Sequence, residues 1–103
     1  MQPTSVRNAA FRRAILSIPK GKVATYGQVA AAAGYPRYHR AVAQFLQSER
    51  TDRVPWQRVV GAGGEIKLRY EKAAEQRLRL RIEGVTFSGS RVNLRLHQHS
   101  FHR

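Results

Sequence analysis

The chain has no cysteine, one aspartate and one tryptophan in 103 residues, and only six acidic side chains against nineteen basic ones. Each scarcity removes a class of chemistry. Without cysteine there is no disulfide, no thiolate nucleophile and no cysteine-ligated zinc. Asp52 is the sole aspartate, and His97, His99 and His102 cluster at the C-terminal end while His39 sits among basic neighbours. A Ser-His-Asp site therefore has no positioned base. The glutamates Glu71, Glu75 and Glu83 lie in an arginine-rich helical stretch, so no acid/base pair of carboxylates stands out. No segment approaches the ~18–20 unbroken apolar residues of a membrane span. The first residues are polar and show no apolar signal core. A cytoplasmic location away from any membrane is the expectation.

What is abundant is positive charge. The formal balance is +13, and 42% of residues are hydrophobic. That is enough apolar content for a core and argues against wholesale disorder. The length fits one domain, which should bury about two-thirds of its unfolded surface. Residues 1–50 hold eight basic and one acidic side chain, and the remainder eleven and five. The charge thus belongs to the whole domain. Such a domain seeks a polyanion, nucleic acid being the commonest. A basic protein built for protein or RNA surfaces is the alternative on charge alone.

Periodicity predicts a helix over Val6 to Ile18, with Phe11, Ile15 and Ile18 on one face and Thr4 or Ser5 as cap. Pro19 to Lys22 stops it. Thr25-Tyr26-Gly27-Gln28 has the form of a capping box, opening a helix that Gly34 ends as a C′ residue. Pro36 then opens a third helix from Arg37 to about Gln47. Val42, Phe45 and Leu46 face inward on it, and Arg37, Arg40, Gln44 and Gln47 face outward. Two helices joined by a short Gly-containing turn, the second with a basic polar face, form the helix-turn-helix pattern. An ordinary αα-hairpin with a solvated arginine face is the plainer reading, and the net charge tips the choice toward DNA.

Val59-Val60 reads as a short strand, Gly61 to Gly64 as a turn, and Glu65 to Leu68 as the strand that pairs back, giving a wing. A fourth helix is expected from about Glu71 to Glu83, with Ala74, Leu78 and Ile82 inward. Val85–Phe87 and Val92–Leu94 are candidate strands, and residues 97–103 a flexible tail after a domain of residues 1–96. The fold class is mainly α with a small β hairpin. His97-x-His99-x-x-His102 has metal-like spacing but no flanking structure to fix three imidazoles, so no metal is assigned. Gly61-x-Gly63-Gly64 lacks the Lys-Ser/Thr of a phosphate loop. No cofactor is expected.

The most specific stretch is Pro55-Trp56-Gln57-Arg58-Val59-Val60-Gly61. It resembles the active-site motif Pro-Cys-His-Arg-Val-Val/Ile-Gly/Asn of the O6-alkylguanine-DNA alkyltransferases, in which the Cys accepts the alkyl group and the His relays its proton. Trp56 stands at the Cys position, the mark of the alkyltransferase-like proteins. Gln57 stands at the His position and departs from both groups. Three further stretches are similar to the family in the right order: Ile18 to Gly27, Arg40-Ala41-Val42 and Glu83-Gly84, with Glu75-Gln76-Arg77 in the helix between.

The resemblance implies a winged helix-turn-helix domain that binds duplex DNA in the minor groove. It implies that Tyr26 crowds a phosphate and helps turn the target nucleotide, that Arg40 enters the base stack, and that the everted base lies beside Trp56. The implied lesion pocket is Tyr26, Trp56, Gln57, Arg58, Val59 and Arg69, although the family arginine matching Arg58 is largely structural. The implied DNA contacts are Tyr26, Arg37, Arg40, Ala41 and Gln44, with Lys20 and Lys22. The residue types suit these tasks. A planar guanidinium stacks between bases, the indole offers a face to a purine, and small Ala41 lets backbone approach the groove. Lys20, Lys22, Arg37 and Arg58 are placed to neutralise phosphates.

With no thiol to accept an alkyl group, no transfer is expected. The implied function is recognition of O6-alkylguanine in double-stranded DNA and a handover to nucleotide excision repair. A sequence-reading winged-helix regulator or a nucleoid-type binder is the alternative. A monomer is expected, because no helix shows a spare apolar face.

Overall fold

In the computed structural model, which describes residues 4–49 and 53–101, three helices come first. They are α1 (Thr4–Leu16), α2 (Tyr26–Ala32) and α3 (His39–Ser48). Asp52 and His102 lie outside the described residues. On α1, Phe11 and Ile15 are fully buried one turn apart, and Ile18 joins them just past the helix end. Burying side chains of this size contributes roughly 1.5–3 kcal/mol each. Thr4 and Ser5 lie inside α1 and do not cap it from outside. The capping box is formed: Thr25 Oγ1 accepts from the Gln28 amide at 3.1 Å, and Gln28 Oε1 accepts from the Thr25 amide at 2.9 Å. Gly34, at φ +95°, follows the C-cap Ala33.

The third helix begins two residues later than expected. Pro36 and Arg37 form a turn with Arg37 at φ +75°, and Tyr38 precedes the first helical residue. Arg37 is therefore off the helical face on which the spacing had put it. Val42 and Phe45 face inward, and Phe11 packs edge-on against both Phe45 and Tyr35, ring centroids 6.1 and 5.9 Å apart.

The expected wing is not where the sequence put it. Val59–Val60 is a strand, β2, but it pairs in parallel with β1 (Ala24–Thr25), matching Ala24 to Val59 and Thr25 to Val60. The segment after Gly64 is held to β2 by one turn bond, from the Gly61 amide to the Glu65 carbonyl, and Glu65 bridges to Arg91. The antiparallel hairpin lies later, between β3 (Phe87–Ser88) and β4 (Arg91–Val92). Gly64, at φ +89°, lies against the Val92 backbone so closely that no side chain would fit. This close approach locks the turn after β2 to β4.

The helix α4 (Tyr70–Ile82) shows the opposite face from the one expected. Ala73, Gln76 and Leu80 are buried, while Leu78 is 58% and Ile82 75% exposed. The reason is Gln76, whose amide nitrogen donates to the carbonyls of Gln57 (3.1 Å) and Val59 (2.9 Å). A buried backbone that needs a donor outweighs the apolar claim of Leu78 and Ile82. The absence of a spare apolar helix face, on which the monomer expectation rested, thus does not hold for α4.

Residues 97–101, read from the sequence as part of a tail, lie against the domain after the short helix α5 (Leu94–His97). The Val23 amide donates to the His97 carbonyl at 2.8 Å and the Val23 carbonyl accepts from His99 at 2.7 Å. Phe101 packs on the helical core. The interior has two parts. Phe11, Ile15, Val29, Val42, Phe45, Trp56 and Val59 form one with the helices, and Val23, Val60, Leu80, Val85 and Val92 form the other. Between them run β1 and β2, which bring the Pro55–Arg58 turn against the helix pair.

Candidate nucleic-acid interface

An open cleft of about 1200 Å³ lies where α2, α3, the Trp56 turn and the start of α4 meet. Tyr26 comes from the first position of α2, and His39, Arg40, Ala43, Leu46 and Gln47 from α3. Trp56 comes from the turn before β2, Lys67 and Leu68 from the segment before α4, and Lys72 from its first turn. The fold thus brings Tyr26, Arg40 and Trp56 to one cavity, although they span thirty residues of chain.

Trp56 is 5% exposed and lends the cleft an aromatic wall. Two cations sit over its ring, Lys72 Nζ at 4.9 Å and Arg79 Cζ at 5.5 Å from the centroid. Its indole N–H is buried without a hydrogen-bond acceptor among the described residues. The only carboxylate among the described residues of the lining, Glu49, is already engaged by Arg12, whose Nε and Nη2 both reach it at 3.1 Å. Lys67 and Lys72 in the lining pair with Glu65 at 3.7 Å and Glu75 at 3.8 Å, and Arg40 brings a further cation to the mouth of the cleft. Burial pushes the Tyr26 phenol above its usual range, so it stays a neutral hydrogen-bond donor across physiological pH.

The remaining expected pocket residues point elsewhere. Gln57 is 7% exposed and donates from Nε2 to Glu83 at 2.8 Å. Arg58 donates from Nε and Nη2 to the two Glu83 oxygens, both at 3.0 Å, and from Nη1 to the Ile18 carbonyl at 2.8 Å. Burial alone would raise the Glu83 carboxyl. The hydrogen bonds from Arg58 and Gln57, the Arg58 charge and the Gly21 amide outweigh it and hold that carboxyl below the usual range. Val59 is buried in β2. Arg69 is exposed just before α4 and does not line the cleft. Gln57, Arg58 and Val59 therefore brace the turn that presents Trp56, and none of them faces the cavity.

Among the expected DNA contacts, Arg40 and Gln44 are exposed on α3, Arg37 is exposed in the turn before it, and Lys20 is exposed in the loop after α1. Ala41 is half-buried and packs on the core. Lys22 reaches the Leu96 carbonyl with Nζ at 3.3 Å and is tied to α5. The sequence reading missed His39, Lys67, Leu68 and Lys72. They come from α3, the segment before α4 and α4 itself, so no spacing rule joined them; only the basic character of residues 67–72 was visible. Among the described residues no group of three His, Asp or Glu side chains is placed to hold a metal ion, and no helix is long and apolar enough to cross a membrane.

Comparison with known proteins places these features in a lineage. A family model described as the DNA-binding domain of 6-O-methylguanine DNA methyltransferase matches residues 7–85. A DNA base-flipping protein of Vibrio parahaemolyticus is 41% identical over 75 residues, covering 72% of this chain and 75% of that one. Alkyltransferase-like protein 1 of Schizosaccharomyces pombe is 42% identical over 71 residues, 68% of this chain and 66% of that one. The crystal structure of S. pombe Atl1 in complex with damaged DNA containing O6-carboxymethylguanine superposes with a TM-score of 0.79 at 32% identity, over 98% of this chain and 100% of that one. The Mycobacterium tuberculosis OGT–DNA complex gives 0.68 at 30% identity, over 74% of this chain and 48% of that one.

Proposed function

This chain belongs to the family defined by the DNA-binding domain of the 6-O-methylguanine DNA methyltransferases, and we propose that it recognises O6-alkylated guanine in duplex DNA by everting the base and holding it unrepaired. The observation that carries the reading is Trp56. It stands at the motif position where the family's alkyl acceptor is a cysteine, and it walls a cleft shared with Tyr26 and Arg40. An indole has no acidic, nucleophilic heteroatom at neutral pH, so nothing at that position takes up an alkyl group.

The proposed sequence of events follows from the residue types. The exposed cations of α3 and its flanking loops neutralise phosphates and make binding salt dependent. Arg40 enters the stack as the nucleotide leaves, its planar cation filling the gap. Tyr26, neutral and partly buried, bears on the adjoining phosphate. The base enters the cleft against Trp56, beside Lys67 and Lys72. Eversion costs a few kcal/mol of stacking and pairing, and an alkylated guanine, which pairs poorly, costs less. The held complex is then a signal for nucleotide excision repair.

Matched duplexes with and without O6-methylguanine, titrated by Trp56 fluorescence, test this. The lesion duplex is expected to bind at least tenfold tighter, a difference of about 1.4 kcal/mol. Arg40→Ala should cost more than Arg37→Ala on the lesion duplex. Equal affinity for the two duplexes refutes lesion recognition. Trp56→Cys should fail to take up a methyl group efficiently, because Gln57 cannot act as a base and its amide is committed to Glu83.

A further inference from the structure

Residues 86–101 lie beyond the matched family span, yet one histidine among them reaches a loop bonded to the Trp56 turn. His97 closes α5, and its imidazole sits between two backbone segments. Nε2 is 3.0 Å from the Thr86 amide nitrogen and 2.9 Å from Thr86 Oγ1. Nδ1 is 3.2 Å from the Gly21 carbonyl oxygen. A backbone N–H can only donate and a carbonyl can only accept. Nε2 therefore accepts, and Nδ1 carries the proton and donates to Gly21. The ring is a neutral Nδ1–H imidazole.

The Gly21 loop is held from its other side as well. Arg58 Nη1 donates to the Ile18 carbonyl at 2.8 Å, in the loop that Gly21 turns, and the Lys22 amide closes that loop on the Pro19 carbonyl at 3.1 Å. The same guanidinium at 3.0 Å and Gln57 Nε2 at 2.8 Å hold the Glu83 carboxylate. Gln57 and Arg58 directly follow Trp56 in one turn of helix. Gly21 adopts φ +88°, which a side chain would strain, so the junction itself calls for glycine. His97 and Arg58 thus grip the same Ile18–Lys22 loop, one at the Gly21 carbonyl and the other at the Ile18 carbonyl. Of the charged groups nearby, Lys22 is tied by Nζ to the Leu96 carbonyl.

We propose that His97 is a positioning residue for the lesion cleft. Its Nδ1–H, acting through the Ile18–Lys22 loop and Arg58, fixes the turn on which Trp56 meets the everted base. This rests on the lesion-binding reading above. The relay bears on the lesion-specific part of binding, because the base meets Trp56. Phosphate contacts from α3 do not pass through it.

Side-chain swaps separate the two ring nitrogens. His97→Asn keeps a donor near Nδ1 and gives up the Nε2 acceptor. His97→Gln keeps an acceptor near Nε2 and gives up the donor. His97→Phe keeps the ring and loses both. Each folded variant is titrated with matched duplexes with and without O6-methylguanine, and acrylamide quenching of Trp56 is measured in the free protein. His97→Asn should keep the ratio of lesion to undamaged affinity. His97→Gln and His97→Phe should lower it roughly fivefold, the scale of one neutral hydrogen bond, with affinity for undamaged DNA unchanged and quenching of Trp56 increased. Imidazole nitrogen shifts of the unmodified protein should report a neutral ring protonated on Nδ1. A ring protonated on Nε2, an equal loss on both duplexes, or a ratio unchanged in His97→Phe overturns the proposal. If the unmodified protein does not distinguish the duplexes, the lesion reading fails by itself. The quenching series then decides the relay, and quenching unchanged in His97→Phe sinks it.

Discussion

In the half built from α1 to α3 the interior is hydrocarbon, with Phe11, Ile15, Val29, Val42 and Phe45 each 3% exposed or less. In the half from Val54 onward, polar groups hold inner positions. Gln76 is 1% and Gln57 7% exposed, and the Arg58–Glu83 ion pair has side chains only 16% and 9% exposed. The first half is secured by area and by a local cap. The second is secured by a few directional bonds between segments far apart in sequence, such as Arg58 to the Ile18 carbonyl and Gln76 to the carbonyls before and within β2. The helix pair is thus held by packing and the Trp56 turn by directed bonds. Apolar packing tolerates small shifts; a hydrogen-bonded network has one arrangement or none.

The sharpest break of this comparison lies on α4, where one helix presents both logics. Leu80 is fully buried and Leu78 is 58% exposed. Leu80→Ala should cost about 3 kcal/mol by urea unfolding, through lost burial and the cavity left behind. Leu78→Ala should stay within about 0.5 kcal/mol. The reverse order would restore the face predicted by apolar spacing and displace Gln76 from the interior.

Nearly as large an effect is expected at Glu83. Glu83→Ala strands the Arg58 guanidinium and the Gln57 amide in a largely dry site, which should cost about 3 kcal/mol. The same group gives the stability a pH dependence of known sign. Its folded value lies below the ordinary carboxylate range, so its contribution is complete above that range and is lost as pH falls through the depressed value. Unfolding midpoints of the unmodified protein should therefore fall more steeply on acidification below the ordinary carboxylate range than those of Glu83→Gln. Parallel pH profiles would show that the Arg58–Glu83 pair is not what stiffens this half.

The same contrast governs what could be read from the chain beforehand. The capping box at Thr25–Gln28, the stop at Gly34 and the apolar face of α1 are local patterns, and they are present as written. The family resemblance put Tyr26 and Trp56 in one pocket, and both line the cleft; Arg40, expected only at the DNA, lines it beside them. Four features escaped. The parallel pairing of β1 with β2 joins residues 35 positions apart, and two-residue strands carry no mark of their partner. The face of α4 is set by carbonyls that Gln76 must satisfy, which no hydropathy pattern records. Lys67 and Lys72 line the cleft from chain that follows the turn at Gly64, and no local pattern marks that turn's approach to β4. Gln57, expected in the pocket at the family's histidine position, turns to Glu83 because a buried carboxylate accepts the nearest donor.

The smallest of these effects probes the joint between the halves. Thr25 ends β1, where its backbone pairs with Val60, and its hydroxyl caps α2, whose first residue is Tyr26. Thr25→Ala removes the acceptor for the Gln28 amide and leaves the strand pairing in place. The loss should be about 1 kcal/mol, and Thr25→Ser should recover most of it. Since the cap fixes the start of α2, Thr25→Ala should also loosen Tyr26 and speed hydrogen exchange at the Gln28 amide, while exchange at Val59 and Val60 stays slow. Faster exchange throughout β2 would mean that the two halves open together, and that the directional network depends on the helical body it was set apart from.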